Sequence, residues 1–116
     1  MRFDIHFKLG KHDQWIEFVI ERPLDDEYWK RHNAWAAYTS IGDRHKRKGK
    51  FGIIELPLME DNALFRGSLQ HEVDHFVIDL FLCWGGGKIT RRNEEKFATI
   101  AGEIVTEFWE IYGKDT

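Results

Sequence analysis

Ser68-Leu69-Gln70-His71-Glu72-Val73-Asp74-His75-Phe76-Val77-Ile78-Asp79-Leu80-Phe81 is the stretch that decides how this chain folds. Its apolar residues recur at the three- and four-residue spacing of an α-helix. On a helix, His71 and His75 lie on one face, one turn apart. Two imidazole nitrogens placed in this way can bind one tetrahedral zinc, at about 2.0–2.1 Å each. We therefore predict a metal-binding helix that runs from about Leu64 or Ser68 to Cys83.

Glu72 directly follows the first histidine and can reach a water on the open side of such a metal. A carboxylate in that position can act as a general base. The competing interpretation is a surface helix whose two histidines are only solvated or capped. A third protein ligand would separate the two interpretations, because zinc held by two histidines needs at least one more.

The last helix offers two candidates for that third ligand. A broad apolar stripe predicts this helix over residues 91–109, with Asn93 as its N-cap. Glu94 and Glu95 then fall in the first turn, where acidic side chains complement the helix dipole. That role alone would explain both glutamates.

Glu95 is the preferred ligand because of the side chains that share its face. Residues Ala98, Thr99 and Gly102 are small and would let the metal helix approach closely. Glu94 instead shares its face with the bulky Phe97. A rotation of the helix by one residue would exchange the two roles, so Glu94 remains the alternative.

Length and composition set the bounds on the class of protein. The chain has 116 residues, of which 42% are hydrophobic, and these suffice for one domain over residues 1–116 with a packed core. The net charge of −3 argues against a general nucleic-acid-binding protein. One cysteine allows no internal disulfide, and no stretch has the length of a membrane span. We expect a cytoplasmic protein that does not bind membranes.

The remaining elements predict an α+β fold. Residues 2–9 and 15–21 alternate polar and apolar side chains, which indicates an antiparallel hairpin. Asp25-Asp26-Glu27 supplies an N-cap and an acidic first turn for a helix predicted to run to about Tyr38, with Trp35 on its buried side. Residues 51–56 form the next strand. We predict an antiparallel sheet of three to four strands with three helices packed against it.

Residues 42–50 carry a basic run between two glycines. Clustered lysines and arginines could neutralise phosphates, but no aromatic side chains are interleaved for base stacking. A solvated hairpin loop is the preferred interpretation, and nucleic acid is not an expected partner.

The motif His71-Glu72-x-x-His75, followed about twenty residues later by Asn93-Glu94-Glu95-x-x-Ala98, resembles the zincin superfamily of metallopeptidases. Within it, the pattern is most similar to the gluzincins, whose third ligand is a glutamate on a following helix. It also resembles small HExxH proteins encoded by phages and prophages. The resemblance covers about residues 51–109. Thr99 stands where gluzincins commonly have an aspartate that supports a histidine ligand.

This resemblance implies a minimal zincin-like domain that uses Zn²⁺ to hydrolyse peptide bonds, with Glu72 as the general base. The substrate would be a peptide or protein segment in extended form. It would pair with an edge strand at Gly52, Ile53, Ile54 and Glu55.

A side chain that stabilises the oxyanion is usual in such sites. His45 and Tyr112 are candidates for this role by residue type only. One alternative function is a zinc-binding structural or regulatory protein of phage type without significant catalysis. The other is an interaction domain without a metal, in which the two histidines are incidental.

Overall fold

Four strands and three helices make up the part of the chain that the computed structural model describes, which is residues 1–41, 49–84 and 88–113. The predicted α+β class is confirmed. Within these residues, no helix combines the length and the apolar character needed to cross a membrane. The elements are β1 (Arg2–Leu9), β2 (His12–Pro23), α1 (Glu27–Arg31), β3 (Ala37–Ser40), β4 (Gly49–Leu58), α2 (Ala63–Cys83) and α3 (Arg91–Tyr112).

The sheet is mixed and has the strand order β1-β2-β4-β3. The predicted hairpin is confirmed, since β1 and β2 pair antiparallel with Ile5 opposite Ile16. β3 and β4 also pair antiparallel, but β2 and β4 run parallel. The prediction of a wholly antiparallel sheet is wrong at this one pairing. The chain between β2 and β4 adds β3 at the far edge, so that β4 returns beside β2 in the same direction.

β4 lies inside the sheet. Ile53 is paired with Glu17 of β2 on one side and with Thr39 of β3 on the other. The prediction that Gly52, Ile53, Ile54 and Glu55 form an edge strand is therefore wrong, because β2 and β3 occupy both of its edges. Within the described residues, the two outer strands are β1 and β3.

The core lies between one face of the sheet and the helices α2 and α3. Phe76 of α2 places its ring 5.3 Å from Phe7 and 5.6 Å from Phe51, centre to centre. Phe108 of α3 lies 5.1 Å from Phe18 in the same way. The apolar stripe predicted for α3 is confirmed, since these side chains are buried: Phe97, Ile100, Ile104 and Phe108.

α1 is much shorter than predicted. Its N-cap is Asp26, one of the acidic residues predicted to start it, and this side chain accepts a hydrogen bond of 2.8 Å from the backbone N–H of Tyr28. The helix ends at Arg31 because Asn33 adopts a left-handed conformation with φ of 48°. Trp35 therefore leaves the helix and is 59% exposed, which makes its predicted burial wrong.

The two long helices begin at side-chain caps. Asn62 accepts a hydrogen bond from the backbone N–H of Phe65 and starts α2 close to the predicted position. In α3 the N-cap is Thr90, not Asn93. Asn93 instead completes a reciprocal capping box, because its side chain accepts from the backbone N–H of Thr90.

Candidate metal centre

His71 and His75 project from the solvent-facing side of α2, one turn apart, as the spacing predicts. Their Nε2 atoms are 3.2 Å apart and both side chains are exposed. Zinc–nitrogen bonds of about 2.0–2.1 Å at a tetrahedral angle would separate two ligand nitrogens by about 3.3–3.4 Å. The two imidazoles thus already have nearly the separation that one tetrahedral metal ion requires.

Glu72 belongs to the same group but turns its carboxyl inward. The ligand-capable atoms of Glu72 and the two histidines lie within 4.8 Å of one another. The Glu72 side chain is buried, and its Oε2 has no hydrogen-bond partner among the described residues. Burial raises the pKa of this carboxyl, while His71, His75 and the backbone N–H of Tyr38 act in the opposite direction. The net effect is a carboxyl with increased affinity for a proton.

Tyr38 and Asp79 support this site, and sequence reasoning missed both. The Tyr38 backbone N–H donates to the Glu72 carboxyl, and its hydroxyl donates to Oδ2 of Asp79 at 2.6 Å. Cys83 donates to the other oxygen of Asp79 at 3.3 Å. The sequence offered one indication for Asp79, which lies four residues after His75 and therefore shares its side of the helix one turn on. Tyr38 carries no such signal, because its contacts depend on how β3 packs on α2.

An open groove of about 380 Å³ lies beside the metal-binding group. Gly67 and Ser68 of α2 form part of its wall, one turn before His71. Trp35, which leaves α1 early, and Leu64 add apolar surface. The site is therefore flanked by a partly apolar depression.

The structure does not bring Glu94 or Glu95 to the histidine pair. Both side chains are exposed, and neither belongs to the group formed by His71, Glu72 and His75. Within residues 1–41, 49–84 and 88–113, no other histidine, cysteine, aspartate or glutamate joins that group. The described part of the chain thus provides no third ligand besides Glu72.

The small side chains beside Glu95 do not form the predicted contact with α2. Thr99 and Gly102 line an open groove on the exposed side of α3, and a Cβ at Gly102 would meet no atom within 4 Å. α3 instead contacts α2 through Phe97, whose ring centre lies 4.9 Å from that of Phe81. The contact between α2 and α3 is thus made by large aromatic side chains and not by the small ones near Glu95. Thr99 consequently does not support a histidine ligand.

Neither candidate for stabilising an oxyanion, Tyr112 or His45, is found at the site within the described residues. Tyr112 is buried and stacks on Phe65 and Phe108, at ring-centre distances of 5.1 and 5.3 Å. It therefore belongs to the core and does not line the groove beside His71. His45 lies outside the described residues, as does most of the basic run.

Comparison with known proteins adds no relative: the chain matches no family profile, no curated protein and no solved structure. The fold and the site therefore define an α+β protein with a four-stranded mixed sheet and a His-Glu-His group that could hold a metal ion.

Proposed function

We propose that this protein is a zinc-dependent hydrolase of peptide bonds, in which His71 and His75 hold the metal and Glu72 is the general base. The observation that carries this proposal is the separation of 3.2 Å between the two Nε2 atoms, directly beside a buried glutamate with a raised pKa. The HExxH spacing gives the same residues the same roles.

Glu72 would move the proton during hydrolysis. A bound zinc supplies Lewis acidity, which polarises the scissile carbonyl and lowers the pKa of water. Oε2 of Glu72, which has no partner in the part of the chain that the structure describes, can accept the proton of the attacking water and pass it to the leaving amine. The backbone N–H of Tyr38 holds the carboxyl in position for this transfer.

An extended peptide would bind at the Ser40 end of the outer edge of β3, which replaces β4 as the candidate for strand addition, because the backbone N–H of Tyr38 already donates to Glu72. Within the described residues, β3 pairs with β4 on one side only. Ile41 donates its backbone N–H to Phe51 of β4, so strand alternation directs the backbone groups of Ser40 away from β4. The groove at Trp35 and Leu64 offers apolar surface for a side chain of such a peptide.

A second candidate function is zinc binding without catalysis, in a structural or regulatory protein. It is favoured by the lack of an exposed third ligand beside the two histidines among the described residues, since Glu72 is buried and catalytic zinc sites typically have three protein ligands. The two candidates share the histidine pair and differ in whether Glu72 participates in a reaction.

Two measurements test the proposal. Metal analysis of the purified protein by mass spectrometry should find zinc, and His71→Ala should lose it while the circular dichroism of the helices is retained. Incubation with a mixed peptide library should then show cleavage by the zinc-loaded protein.

Glu72→Gln is the matched control, because it keeps the size of the side chain and both histidines. It should retain zinc and lose cleavage. Zinc binding without any cleavage would favour the second candidate function. A protein that binds no zinc would contradict both candidates.

A further inference from the structure

The solvent-facing side of α2 carries an exposed apolar stripe. Besides its buried side, this helix carries large apolar side chains on its outer side, among polar ones. Leu64 is 40% exposed, Ile78 is 55% exposed and Leu82 is 46% exposed. Large apolar side chains that share an exposed face can mark a contact surface. These three residues define the outer stripe of α2.

The histidine pair lies in the middle of this outer stripe. At 100° per residue, Leu64, His71, His75, Ile78 and Leu82 all fall on one face of the helix. The stripe is about 27 Å long at 1.5 Å per residue. A partner that covers the apolar side chains would therefore also cover the metal ligands.

Within the described residues, one chain offers only two exposed ligands to the metal. Two imidazoles occupy half of a tetrahedral site, and the described residues provide no third ligand besides Glu72, which turns inward. A second copy related by a two-fold axis would present the same two imidazoles from the opposite side. Four nitrogens would then complete the tetrahedron.

The spacing along α2 is consistent with such an axis. Val73 lies midway between the two histidines and also midway between Leu64 and Leu82. A two-fold axis at the level of Val73 would place Leu64 of one copy opposite Leu82 of the other. Ile78 would face the turn that contains Gly67, where a Cβ would meet no atom within 4 Å. The large side chain of Ile78 in one copy would thus lie opposite the unfilled space at Gly67 of the other.

We propose that two copies of this chain pair through antiparallel α2 helices around one zinc, held by His71 and His75 of each copy. The proposal rests on the zinc binding in the proposed function and adds the partner of that site. A zinc with four imidazole ligands has no position for water. The pair is therefore a closed state, and the cleavage expected of the zinc-loaded protein requires a protein concentration low enough for the two chains to separate with zinc still bound to one of them.

The test is the mass of the protein as zinc is added. Metal-free protein, prepared with a chelator, should sediment as a monomer. Added zinc should convert it to a dimer, with the transition complete at one zinc for two chains. Excess chelator should restore the monomer, and His71→Ala should remain monomeric at every zinc concentration.

A matched pair of variants separates the apolar stripe from general surface effects. Leu82→Glu introduces a charge into the proposed interface and should weaken zinc-dependent dimerisation by about tenfold or more. Leu58→Glu is the control, because Leu58 is 51% exposed but lies at the end of β4. It should dimerise like the unmodified protein.

Four outcomes would overturn the proposal. Zinc bound by a monomer, at one ion per chain, would contradict the pairing but leave the proposed function standing. A protein that binds no zinc would contradict both. A dimer that persists in chelator and in His71→Ala would contradict the zinc bridge. Equal effects of Leu82→Glu and Leu58→Glu would contradict the role of the outer stripe.

Discussion

Tyr38 and Asp79 are joined by a hydrogen bond of 2.6 Å from the phenol hydroxyl to Oδ2 of the carboxylate. The same tyrosine donates its backbone N–H to Glu72, which lies two turns earlier on α2. One residue of β3 is thus bound to α2 at two points. These two hydrogen bonds connect the outer strand β3 to the helix that carries the candidate metal ligands.

The hydroxyl of Tyr38 should therefore contribute to stability. Tyr38→Phe removes a donor to the buried Asp79 and should lower the free energy of unfolding by about 1–3 kcal/mol, measured by urea denaturation. Tyr28→Phe is the control, because the contact of the Tyr28 hydroxyl with Glu55 is long, at 3.4 Å. Equal losses of unfolding free energy in both variants would show that the hydrogen bond from Tyr38 to Asp79 stabilises the fold no more than the weak contact of Tyr28.

Two glycines should respond to alanine with opposite signs. A Cβ at Gly52 would lie 2.7 Å from Cε1 of Tyr38 and 2.9 Å from the backbone oxygen of Thr39. Gly52→Ala should therefore lower the free energy of unfolding by about 1–3 kcal/mol through overpacking. Gly102 lies within α3, where a Cβ would meet no atom within 4 Å.

Gly102→Ala should raise the free energy of unfolding by about 0.5–1 kcal/mol, since alanine is the better helix former. Urea denaturation of both variants under one set of conditions provides the comparison. A stabilising Gly52→Ala would mean that β3 does not lie against β4 as the structure has it.

Tyr112 should make the protein less stable at alkaline pH. Burial raises the pKa of this phenol above its ordinary value of 10.0, and the charge of Asp61 adds to the shift. A group whose pKa is raised in the folded state stabilises the fold below the unfolded pKa. It loses that contribution as the pH rises through the folded pKa.

The free energy of unfolding should accordingly fall above about pH 10, and less so in Tyr112→Phe. Urea denaturation at neutral and alkaline pH measures the difference. Tyr28→Phe serves as the comparison, since it removes a phenol outside the core. A variant Tyr112→Phe with the same alkaline loss as the unmodified protein would assign that loss to other groups.

The position of α3 predicts that its first-turn glutamates do not bind the metal. Glu94→Gln and Glu95→Gln should leave zinc affinity nearly unchanged, because both side chains are exposed and outside the metal-binding group. His75→Ala should weaken it by more than about 100-fold, since even indirect support of a metal ligand accounts for 10–100-fold. Competition with a fluorescent zinc chelator measures all three. A loss in Glu95→Gln would restore the ligand that the sequence predicted.

Local spacing was sufficient to predict most of the individual elements. Alternation in residues 2–9 indicated β1, and the four-residue step from His71 to His75 indicated a helix with both imidazoles on one face. These features depend on the periodicity of one segment, and a strand or helix has the same periodicity wherever it packs. The capping role of Asp26 was predictable for the same reason, because a cap involves only neighbouring residues.

Tertiary packing decided which elements and faces meet. Side chains alternate between the two faces of a strand whether its neighbour is parallel or antiparallel. The polar and apolar pattern of β2 and β4 therefore does not reveal that they pair in parallel. The face of α3 that contacts α2 was set by burial of Phe97, which removes more apolar surface from water than Ala98 or Thr99 could. Glu95 was thereby turned away from His71. The contact of Tyr38 with Asp79 likewise joins residues 41 positions apart, a distance over which local spacing holds no information.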